Sequence, residues 1–433
     1  MKTIPLAIVG NGAAAAEAIR ALRDKGYTGE VHLFADNEHG PYNPMLGTYV
    51  VSGAVPEERA FPFGEGRSFY DEHQVTAHLQ CAVTSLDPET QSIGTTDGAL
   101  YEYERCLVAT GARPSLPPVT GLREAVASPE APVFTIQTFE DAVRLKRALD
   151  ELRSRTQKVR AAVVGASFAG VKVADALQRS GLEVVLIERE PSILPLSAHP
   201  LCAHQLEDHL LAEGYRLRLG AALASVEVRE RRVHLGFGAL PGVADPQRVD
   251  ATGCEESETG EDVDLVVVCT GSRPALSFLK AGSVNMGVGI IVDEHMRSNV
   301  PTLYAAGDVA QGRNLLSGRH EIIGLWSSAR YQGRAAGRSL AGTGPGYLGN
   351  VPSNITHVGH RLFASIGCVR NYDEMYVCSE CDDYQLRVWQ DGRLAGVNLI
   401  DHCLAAGAVK QGILRAVSGA VAQMQATWAS FGG

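Results

Sequence analysis

The chain has 433 residues, of which 45 % are hydrophobic and 20 % charged, as expected for a soluble globular protein of about three domains. Its net charge of −10 argues against nucleic acid or an anionic membrane as the main partner. No apolar run approaches the roughly 20 residues that span a bilayer. Glycines at 10 and 12 interrupt the apolar run at the start, so we expect a first strand, not an export signal, and a cytoplasmic protein.

The first predicted strand and helix enclose a Gly-rich turn. The strand covers residues 4–9, the turn begins Gly10-Asn11-Gly12, and an Ala-rich helix runs to about residue 25. Gly10 permits the tight turn, and Gly12 lets the backbone approach a pyrophosphate at the helix N-terminus. Ala15 keeps helix and strand close, and Asp36 follows the next strand, where it can accept hydrogen bonds from a ribose. Turn, helix, strand and acid together predict a dinucleotide site, since a turn kept only for packing would not explain the acid.

A second unit of the same kind follows a charged helix over about 139–153. Its strand covers residues 161–164, and its turn runs from Gly165 to Gly170 with Ser167 at the place of the middle glycine. The next strand ends at Glu188, whose carboxylate would bind a ribose 2′-hydroxyl and repel a 2′-phosphate. We therefore predict NAD in preference to NADP, although the neighbouring Arg189 could favour the phosphate.

Each nucleotide unit is closed by a similar strand. Residues 107–114 contain Ala-Thr-Gly-Ala-Arg-Pro, and residues 269–274 contain Cys-Thr-Gly-Ser-Arg-Pro. Both the turns and the closing strands recur after about 160 residues, which indicates two related domains. A later strand ends in Ala-Ala-Gly307-Asp308 and is followed by a helix that begins near Trp326.

Taken together, these motifs resemble the two-dinucleotide-domain FAD/NAD(P) flavoprotein reductases, in the branch of the ferredoxin, rubredoxin and nitrite reductases. The resemblance covers essentially the whole chain. It implies an α/β fold like that of glutathione reductase, with two Rossmann-type domains and a C-terminal α+β interface domain. The expected bounds are 1–120 and 280–340 for the FAD domain, 121–279 for the NAD domain and 341–433 for the interface domain.

The resemblance also assigns the cofactor-binding residues, and neither a catalytic side chain nor a metal site is expected. In the family the acid at position 308 binds the ribityl hydroxyls, and Trp326 is either at the flavin edge, on a docking face or a core residue. The residues expected at FAD are Gly10, Gly12, Ala15, Asp36, Tyr42, Thr110, Gly111, Arg113, Gly307, Asp308 and Trp326. Those expected at NAD are Gly165, Ser167, Gly170, Glu188 and Gly271.

The segment 39–49 differs from its counterparts in the family. The disulfide reductases carry a cysteine pair here, and this chain has none. The ferredoxin- and nitrite-reductase-like branches usually show Pro-Tyr-x-Arg with a lysine further on in some members. Here Tyr42 is kept, Pro44 stands at the arginine and Tyr49 falls near the lysine. Thiol chemistry at the flavin is therefore not expected.

The implied activity is FAD-dependent NAD(H) oxidoreduction, with hydride passing between nicotinamide C4 and flavin N5. Without an internal disulfide the electrons leave or enter through another molecule, which indicates an iron–sulfur protein partner and an oligomer or hetero-complex. Whole-chain likeness favours the NADH-linked flavoprotein subunits of 2-oxoacid dehydrogenase complexes of the phenylglyoxylate type. A stand-alone ferredoxin or rubredoxin reductase, an NADH oxidase, and a protein with structural or sensory FAD remain alternatives.

Two further groups of residues have the types but not the arrangement of metal ligands. Cys378 and Cys381 form a single C-x-x-C motif, which is a weak signal without a second pair. His199, His204 and His209 recur every five residues on a predicted helix, and this spacing does not place them on one face. We predict surface or packing roles for these histidines.

Overall fold

The computed structural model describes residues 2–64, 66–156, 158–238, 248–249, 260–342, 344–380, 383–401 and 403–417. The chain divides into two compact units. Unit 1 comprises residues 1–45, 56–113 and 273–352, and unit 2 comprises residues 46–55, 114–272 and 353–433. The domain bounds expected from the sequence stay a prediction, because a division by contacts does not say which unit holds which cofactor. Cys381 lies outside the described residues, and so do residues 424–433, which the sequence predicts to form a C-terminal tail.

The helices of the described part alternate with strands in both units. Their bounds are α1 Ala13–Asp24, α2 Gly47–Val51, α3 Ser68–Glu72, α4 Leu122–Ala127, α5 Phe139–Arg155, α6 Phe168–Arg179, α7 Pro200–Ala212 and α8 Trp326–Leu340. Residues 406–417 are also helical. None of the helices in the described ranges is both long enough and apolar enough to cross a membrane.

The strands of the described part are mostly short. Their bounds are β1 Lys2–Val9, β2 His32–Phe34, β3 Thr76–His78, β4 Val83–Asp87, β5 Ser92–Thr95, β6 Leu100–Val108, β7 Ala112–Pro114, β8 Val133–Thr135, β9 Arg160–Val164, β10 Glu183–Ile187, β11 Arg216–Arg218, β12 Ala222–Arg229, β13 Arg232–Gly238, β14 Arg248–Val249, β15 Gly260–Val263, β16 Leu265–Val268, β17 Ser272–Pro274, β18 Ile290–Ile291, β19 Leu303–Ala305, β20 Ala310–Arg313, β21 His320–Glu321, β22 Ser353–Val358, β23 Arg361–Gly367, β24 Glu374–Glu380, β25 Asp383–Gln390 and β26 Arg393–Ile400.

Unit 1 is built on a sheet whose order is β3-β2-β1-β6-β5-β4, with β19 paired to β6. The strands β3, β2, β1, β6 and β19 run parallel, so the turns after β1, β2, β6 and β19 meet at one edge. The strand β19 comes some three hundred residues after β1, and its return to this sheet brings the Gly307–Asp308 turn to the same edge as the Gly10 turn. The sheet thus positions one candidate site from three distant parts of the sequence.

Helices α1 and α8 cross closely on unit 1. A side chain at Gly333 would place its Cβ 2.3 Å from the Ala14 carbonyl oxygen, and one at Gly337 would come within 2.2 Å of the Ala18 carbonyl oxygen. Only glycine allows the two helix backbones this approach. The spacing of four residues presents both glycines on one face of α8.

Unit 2 contains a second sheet of the same design, in the order β14-β11-β10-β9-β16-β8. Strands β8, β9, β10, β11 and β16 are parallel and nearly fully buried, as expected for a sheet covered on both faces. Helix α5 begins with a capping box in which the Thr138 side chain and Asp141 satisfy each other's backbone N–H groups. The predicted α/β class with parallel sheets is thereby confirmed.

The C-terminal part of unit 2 is an antiparallel sheet in the order β22-β23-β26-β25-β24. The sequence predicts strands over 362–366, 386–389 and 394–400, and the structure adds β22 and β24 at the two edges. In β24 the side chains of Met375, Tyr376 and Val377 are all exposed, so this strand lacks the alternation that marks a half-buried strand. The sheet shares a core with the parallel sheet of unit 2, where Phe363 stacks on Phe168 at 6.0 Å.

Candidate functional site

The Gly-rich turn of unit 1 has the geometry that its sequence predicts. Gly10 has φ +108°, and a Cβ there would lie 2.3 Å from the Ala109 carbonyl oxygen. Its N–H donates to the Phe34 carbonyl at 2.9 Å, which ties the turn to the neighbouring strand. Around Gly12, by contrast, the space that a Cβ would occupy has no heavy atom within 4 Å. The backbone is therefore open at the place where the motif predicts a pyrophosphate, while Ala15 is fully buried beneath it.

The acid predicted to bind ribose has a partner on another predicted site residue. Asp36 and Arg113 form an ion pair, although they are 77 residues apart in the chain. Both side chains are exposed, so the pair is free to rearrange around a ligand. Within the turn itself, Asn11 donates to the His39 carbonyl at 2.7 Å and accepts from the Tyr70 hydroxyl at 2.5 Å. Asn11 and Tyr70 are supporting residues that our sequence analysis missed.

The two Ala-Thr-Gly-like closing segments perform the same task in their own units. In unit 1, the Thr110 hydroxyl donates to the Ala275 carbonyl at 2.8 Å. In unit 2, the Thr270 hydroxyl donates to the Ser115 carbonyl at 2.7 Å. Gly111 and Gly271 both have positive φ, and nothing lies within 4 Å of where their Cβ atoms would be. The threonines therefore act on the protein backbone, and the glycines provide the open surface.

Gly307 and Asp308 lie at the end of β19. The Gly307 N–H donates to the buried Gln332 side chain at 2.8 Å, so α8 fixes this turn. In the described part of the chain no donor contacts the Asp308 carboxylate, and burial raises the pKa of Asp308 to about 6. A carboxylate without donors in this position is satisfied when ligand hydroxyls donate to it.

Trp326 opens α8 on the side of the unit 1 core. Its ring centroid lies 6.4 Å from that of Phe63, and the Arg330 guanidinium lies 4.6 Å from its centroid. The indole N–H is buried and has no acceptor among the described residues. Tyr42 packs edge-on to Phe61, with 6.4 Å between ring centroids.

These features test whether unit 1 fits the FAD that the motifs imply. The Trp326 N–H needs an acceptor, the Asp308 carboxylate needs donors, and the backbone around Gly12 is open. A flavin offers carbonyl acceptors, its ribityl chain offers hydroxyl donors, and its pyrophosphate suits the N-terminus of α1. The residues present fit the group.

A buried acid on α1 is held by two arginines from α8. The Glu17 carboxylate accepts from Arg330 Nε at 2.6 Å and from Arg334 Nε at 2.7 Å. Burial raises the pKa of Glu17, but the hydrogen bonds and charges of Arg334 and Arg330 outweigh it and leave this pKa below its ordinary value. The cluster clamps α8, and with it Trp326 and Gln332, against α1. The spacing of four residues between the arginines was visible in the sequence, but their partner more than 300 residues away was not.

Replacing Glu17 by glutamine is expected to lower the free energy of unfolding by about 2 kcal/mol at pH 7, because two partly buried arginines lose their counter-charge. Since the pKa of Glu17 is lowered in the folded protein, its contribution is present above the ordinary carboxyl pKa and is lost as the pH falls through the folded value. Urea unfolding at pH 7 and at pH 4 would measure this. Glu104, exposed on β6, provides the matched control for the same substitution. Equal stability of the two variants at pH 7 would contradict the clamp.

At the third position of its motif, the turn of unit 2 is tighter than that of unit 1, where Ala15 is accommodated. Gly165 has φ +100°, and its Cβ would lie 2.6 Å from the Cys269 carbonyl oxygen. A Cβ on Gly170 would be 1.8 Å from the Gly165 carbonyl oxygen. Ser167 caps α6 by accepting from the Gly170 N–H at 3.5 Å, and its hydroxyl donates to the Cys269 carbonyl at 3.2 Å. Serine at the middle-glycine position thus stabilises the helix start.

Glu188, the predicted ribose-binding acid of unit 2, is hydrogen-bonded to the backbone of the Gly-rich turn. The Glu188 carboxylate accepts from the Ala166 N–H at 2.7 Å and from the Glu190 N–H at 3.0 Å. The remaining lone pairs of this carboxylate are available to accept from a further donor, such as the ribose hydroxyl that the motif predicts. Arg189 is paired with Glu190 at 3.0 Å, so the base that could favour a 2′-phosphate has a competing partner. This arrangement agrees with the predicted choice of NAD.

Neither thiols nor histidines form a redox or metal centre in the described ranges, where no group of three or more potential ligands comes together. The cysteines described there are free, and burial raises the pKa of Cys202 and Cys269 to about 12, which leaves both thiols unreactive. His199 is the residue before α7, not on it, and caps that helix. His204 and His209 bind Glu207 and Glu213.

The chain is similar in sequence and in fold to known oxidoreductases. Residues 4–333 match the family described as pyridine nucleotide-disulphide oxidoreductase. The chain is 28 % identical to the NADH-dependent phenylglyoxylate dehydrogenase subunit epsilon of Aromatoleum evansii, over 94 % of this chain and 91 % of that protein. It is 27 % identical to the rubredoxin-NAD(+) reductase of Pseudomonas putida, over 88 % of this chain and 91 % of the other. The NAD-dependent persulfide reductase from A. fulgidus has the same fold, with a TM-score of 0.83, 21 % identity and coverage of 95 % and 77 %.

Proposed function

Since the chain belongs to the pyridine nucleotide-disulphide oxidoreductase family and is an oxidoreductase that uses FAD and NAD(H), we propose that it exchanges electrons between NAD(H) and an iron–sulfur partner. More specifically, it acts as the flavoprotein subunit of a 2-oxoacid dehydrogenase complex of the phenylglyoxylate type. Unit 1 holds FAD and unit 2 holds NAD(H).

The observation that carries this proposal is that the two complete nucleotide turns are accompanied by no disulfide among the residues that the structure describes. The segment 41–49 contains no cysteine, although the family name refers to disulphide chemistry. The thiols of Cys106, Cys202 and Cys269 are buried, and burial raises the pKa of each. Electrons that reach the flavin therefore have no disulfide to pass to in the described part of the chain, and an external one-electron carrier takes or supplies them.

In this proposal the side chains of the protein bind and orient, and FAD supplies the redox chemistry by exchanging hydride with NAD(H) and single electrons with the partner. In unit 1, Asp308 would accept from the ribityl hydroxyls, the N-terminus of α1 would hold the pyrophosphate, and Trp326 would donate its indole N–H. In unit 2, Glu188 accepts from the adenosine ribose, and Ser167 keeps the start of α6 in place. The likeness to the epsilon subunit supports the assignment to a dehydrogenase complex.

The core of the proposal is tested by anaerobic mixing of the FAD-loaded protein with NADH, followed by an oxidised ferredoxin. We expect NADH to bleach the flavin absorbance, NADPH to do so much more slowly, and ferredoxin to restore it. Bleaching that only O2 reverses would identify an NADH oxidase. A flavin that NADH leaves unbleached would overturn the redox role altogether.

Membership of a complex is tested separately by affinity purification of the tagged full-length chain from its native host under anaerobic conditions. The expected result is co-purification with subunits that show iron–sulfur absorbance and support 2-oxoacid-dependent NAD⁺ reduction. A protein recovered alone and fully active with a small soluble carrier would instead identify a stand-alone reductase. The likeness to rubredoxin-NAD(+) reductase makes this the second candidate.

A further inference from the structure

Lys172 is a cation inside unit 2 that the nucleotide motifs leave unexplained. It lies in the second turn of α6 and is largely buried, with its Nζ 5.3 Å from the centroid of the Tyr49 ring on α2. In the described ranges the structure shows no hydrogen bond or ion pair for this ammonium. Burial lowers its pKa, as expected when a charge leaves water without gaining an opposite charge.

Two acids of unit 2, one on α6 and one after β10, have other partners. Asp175, the next acid along α6, binds Arg179 at 2.8 Å. Glu188 accepts the N–H groups of the turn. An ammonium carries three donors, and an aromatic ring satisfies only part of its electrostatic demand. Because an ammonium that is partly withdrawn from water loses hydration and gains no acceptor from the described residues, this position favours an acceptor supplied by a ligand.

Helix geometry puts the ammonium within reach of the predicted dinucleotide turn. Lys172 is four residues into α6, about 6 Å along the helix axis, and long side chains on a helix point back toward its N-terminus. An extended lysine side chain covers a similar distance. The ammonium can therefore reach the level of the Gly165–Gly170 turn, where the pyrophosphate of a dinucleotide binds.

Sheet topology decides which half of the dinucleotide it meets. The connections from β8 through α5 to β9 and from β9 through α6 to β10 progress in one direction, so right-handed crossovers put α5 and α6 on the same face of the sheet. Helix α5 is then on the β16 side of α6, and α2 packs against both helices. Since Glu188 follows β10, the adenosine half belongs to the β10 side. Lys172, turned toward α2, faces the side of the nicotinamide half, which lies beyond the reversal of strand order between β9 and β16.

We propose that the Lys172 ammonium, held against the Tyr49 ring, donates a hydrogen bond to the nicotinamide half of NAD(H) and positions it. Tyr49 belongs to the segment that differs from the rest of the family, and α2 carries this residue into unit 2. Val51 of α2 is buried in the core of unit 2, which fixes the ring beside the helix. The proposal rests on the use of NAD(H) by unit 2 and is independent of the identity of the electron acceptor.

The test compares ligands that contain or lack the nicotinamide half, on the full-length FAD-loaded protein. Isothermal titration with tetrahydro-NADH, which cannot reduce flavin, should show affinity about 10-fold weaker in Lys172→Met, as expected for one charge-assisted hydrogen bond. Affinity for AMP should stay within about 2-fold, and Lys172→Arg should recover part of the loss. Tyr49→Leu should weaken tetrahydro-NADH binding by a few-fold, the size of one cation–aromatic contact.

Unchanged affinity for tetrahydro-NADH in Lys172→Met would overturn the proposal, and so would an equal loss of affinity for AMP, which would indicate general damage to the turn. Flavin absorbance at full occupancy confirms that each variant is folded. These measurements need no electron acceptor, so a negative result for Lys172 would not contradict the proposed iron–sulfur partner. A search that finds no such partner would likewise not contradict the role proposed for Lys172.

Discussion

An Asp308→Asn variant is expected to bind FAD about 100-fold more weakly and, at the same time, to be more stable than the wild type when both lack FAD. The two effects have one cause. Burial raises the pKa of Asp308 to about 6, so at pH 7.5 the FAD-free protein keeps a charged carboxylate to which none of the described protein groups donates. In the proposed FAD complex the ribityl hydroxyls would donate to that carboxylate, and an amide would replace only part of this hydrogen bonding.

The direction in which the stability of the FAD-free protein changes with pH follows from the raised pKa of Asp308. Below about pH 4 the carboxyl is protonated in both folded and unfolded protein, and no penalty exists. As the pH rises toward 6, the unfolded chain releases its proton first, so the stability of the FAD-free wild type falls by roughly 2–3 kcal/mol and stays low above pH 6. The advantage of the asparagine variant should therefore be largest at pH 7.5 and should shrink as the pH is lowered to 5.

Thermal unfolding of the FAD-free proteins by circular dichroism, together with FAD titration by flavin fluorescence, measures both effects. Asp24→Asn, an exposed acid at the end of α1, is the control and should change neither. An FAD-free Asp308→Asn protein that melts below the wild type at pH 7.5 would show that Asp308 stabilises unit 1 through protein contacts and not through the cofactor.

The parts of the site that were predictable from the sequence are those encoded by local backbone requirements. Gly10 and Gly165 stand where φ is positive and a Cβ would meet a carbonyl oxygen of the closing strand. Such glycines stand at fixed distances in sequence from a strand and a helix, so they can be recognised in one sequence alone. The resemblance to the flavoprotein reductases, which rests on these turns, is confirmed by the family match over residues 4–333.

The parts that were not predictable depend on contacts between distant residues. Glu17 meets Arg330 and Arg334 only after β19 has returned the chain to unit 1. The sequence around Glu17 does not indicate that this side chain binds two guanidinium groups, because an acid on a helix is ordinarily solvated. The contact between Tyr49 and Lys172 was not predictable for the same reason. It forms only because the chain leaves unit 1 after Met45 and α2 is part of unit 2.

The strands β22 and β24 were not predicted from the sequence, for a different reason. The edge strands β22 and β24 are each bonded to a neighbour on one side only. In β24 the side chains of Met375, Tyr376 and Val377 are exposed, and in β22 the apolar Ile355 is exposed while the polar Thr356 is buried. Neither strand therefore shows the regular alternation of buried apolar and exposed polar residues on which strand prediction depends. The sheet as a whole, not the local sequence, makes these segments extended.

A Gly170→Val variant is expected to keep its FAD but to lose NADH binding by a factor of about 100. The Cβ of residue 170 would lie 1.8 Å from the Gly165 carbonyl oxygen, which is backbone and cannot rotate away. The start of α6 must then move off the turn, at a cost of about 3 kcal/mol or more to the bound arrangement. The first turn carries the fully buried Ala15 at the equivalent position, so the closer spacing in unit 2, and not the motif itself, sets the requirement for glycine.

The matched control is Ala169→Val, the same side chain on the neighbouring exposed position, which should bind NADH like the wild type. Flavin absorbance of the purified variants reports FAD retention in unit 1, and titration with tetrahydro-NADH reports unit 2 without reducing the flavin. Loss of flavin together with loss of tetrahydro-NADH binding would show that the substitution unfolds the protein. A Gly170→Val protein that binds tetrahydro-NADH normally would show that the nucleotide does not use this turn, and the assignment of NAD(H) to unit 2 would fall with it.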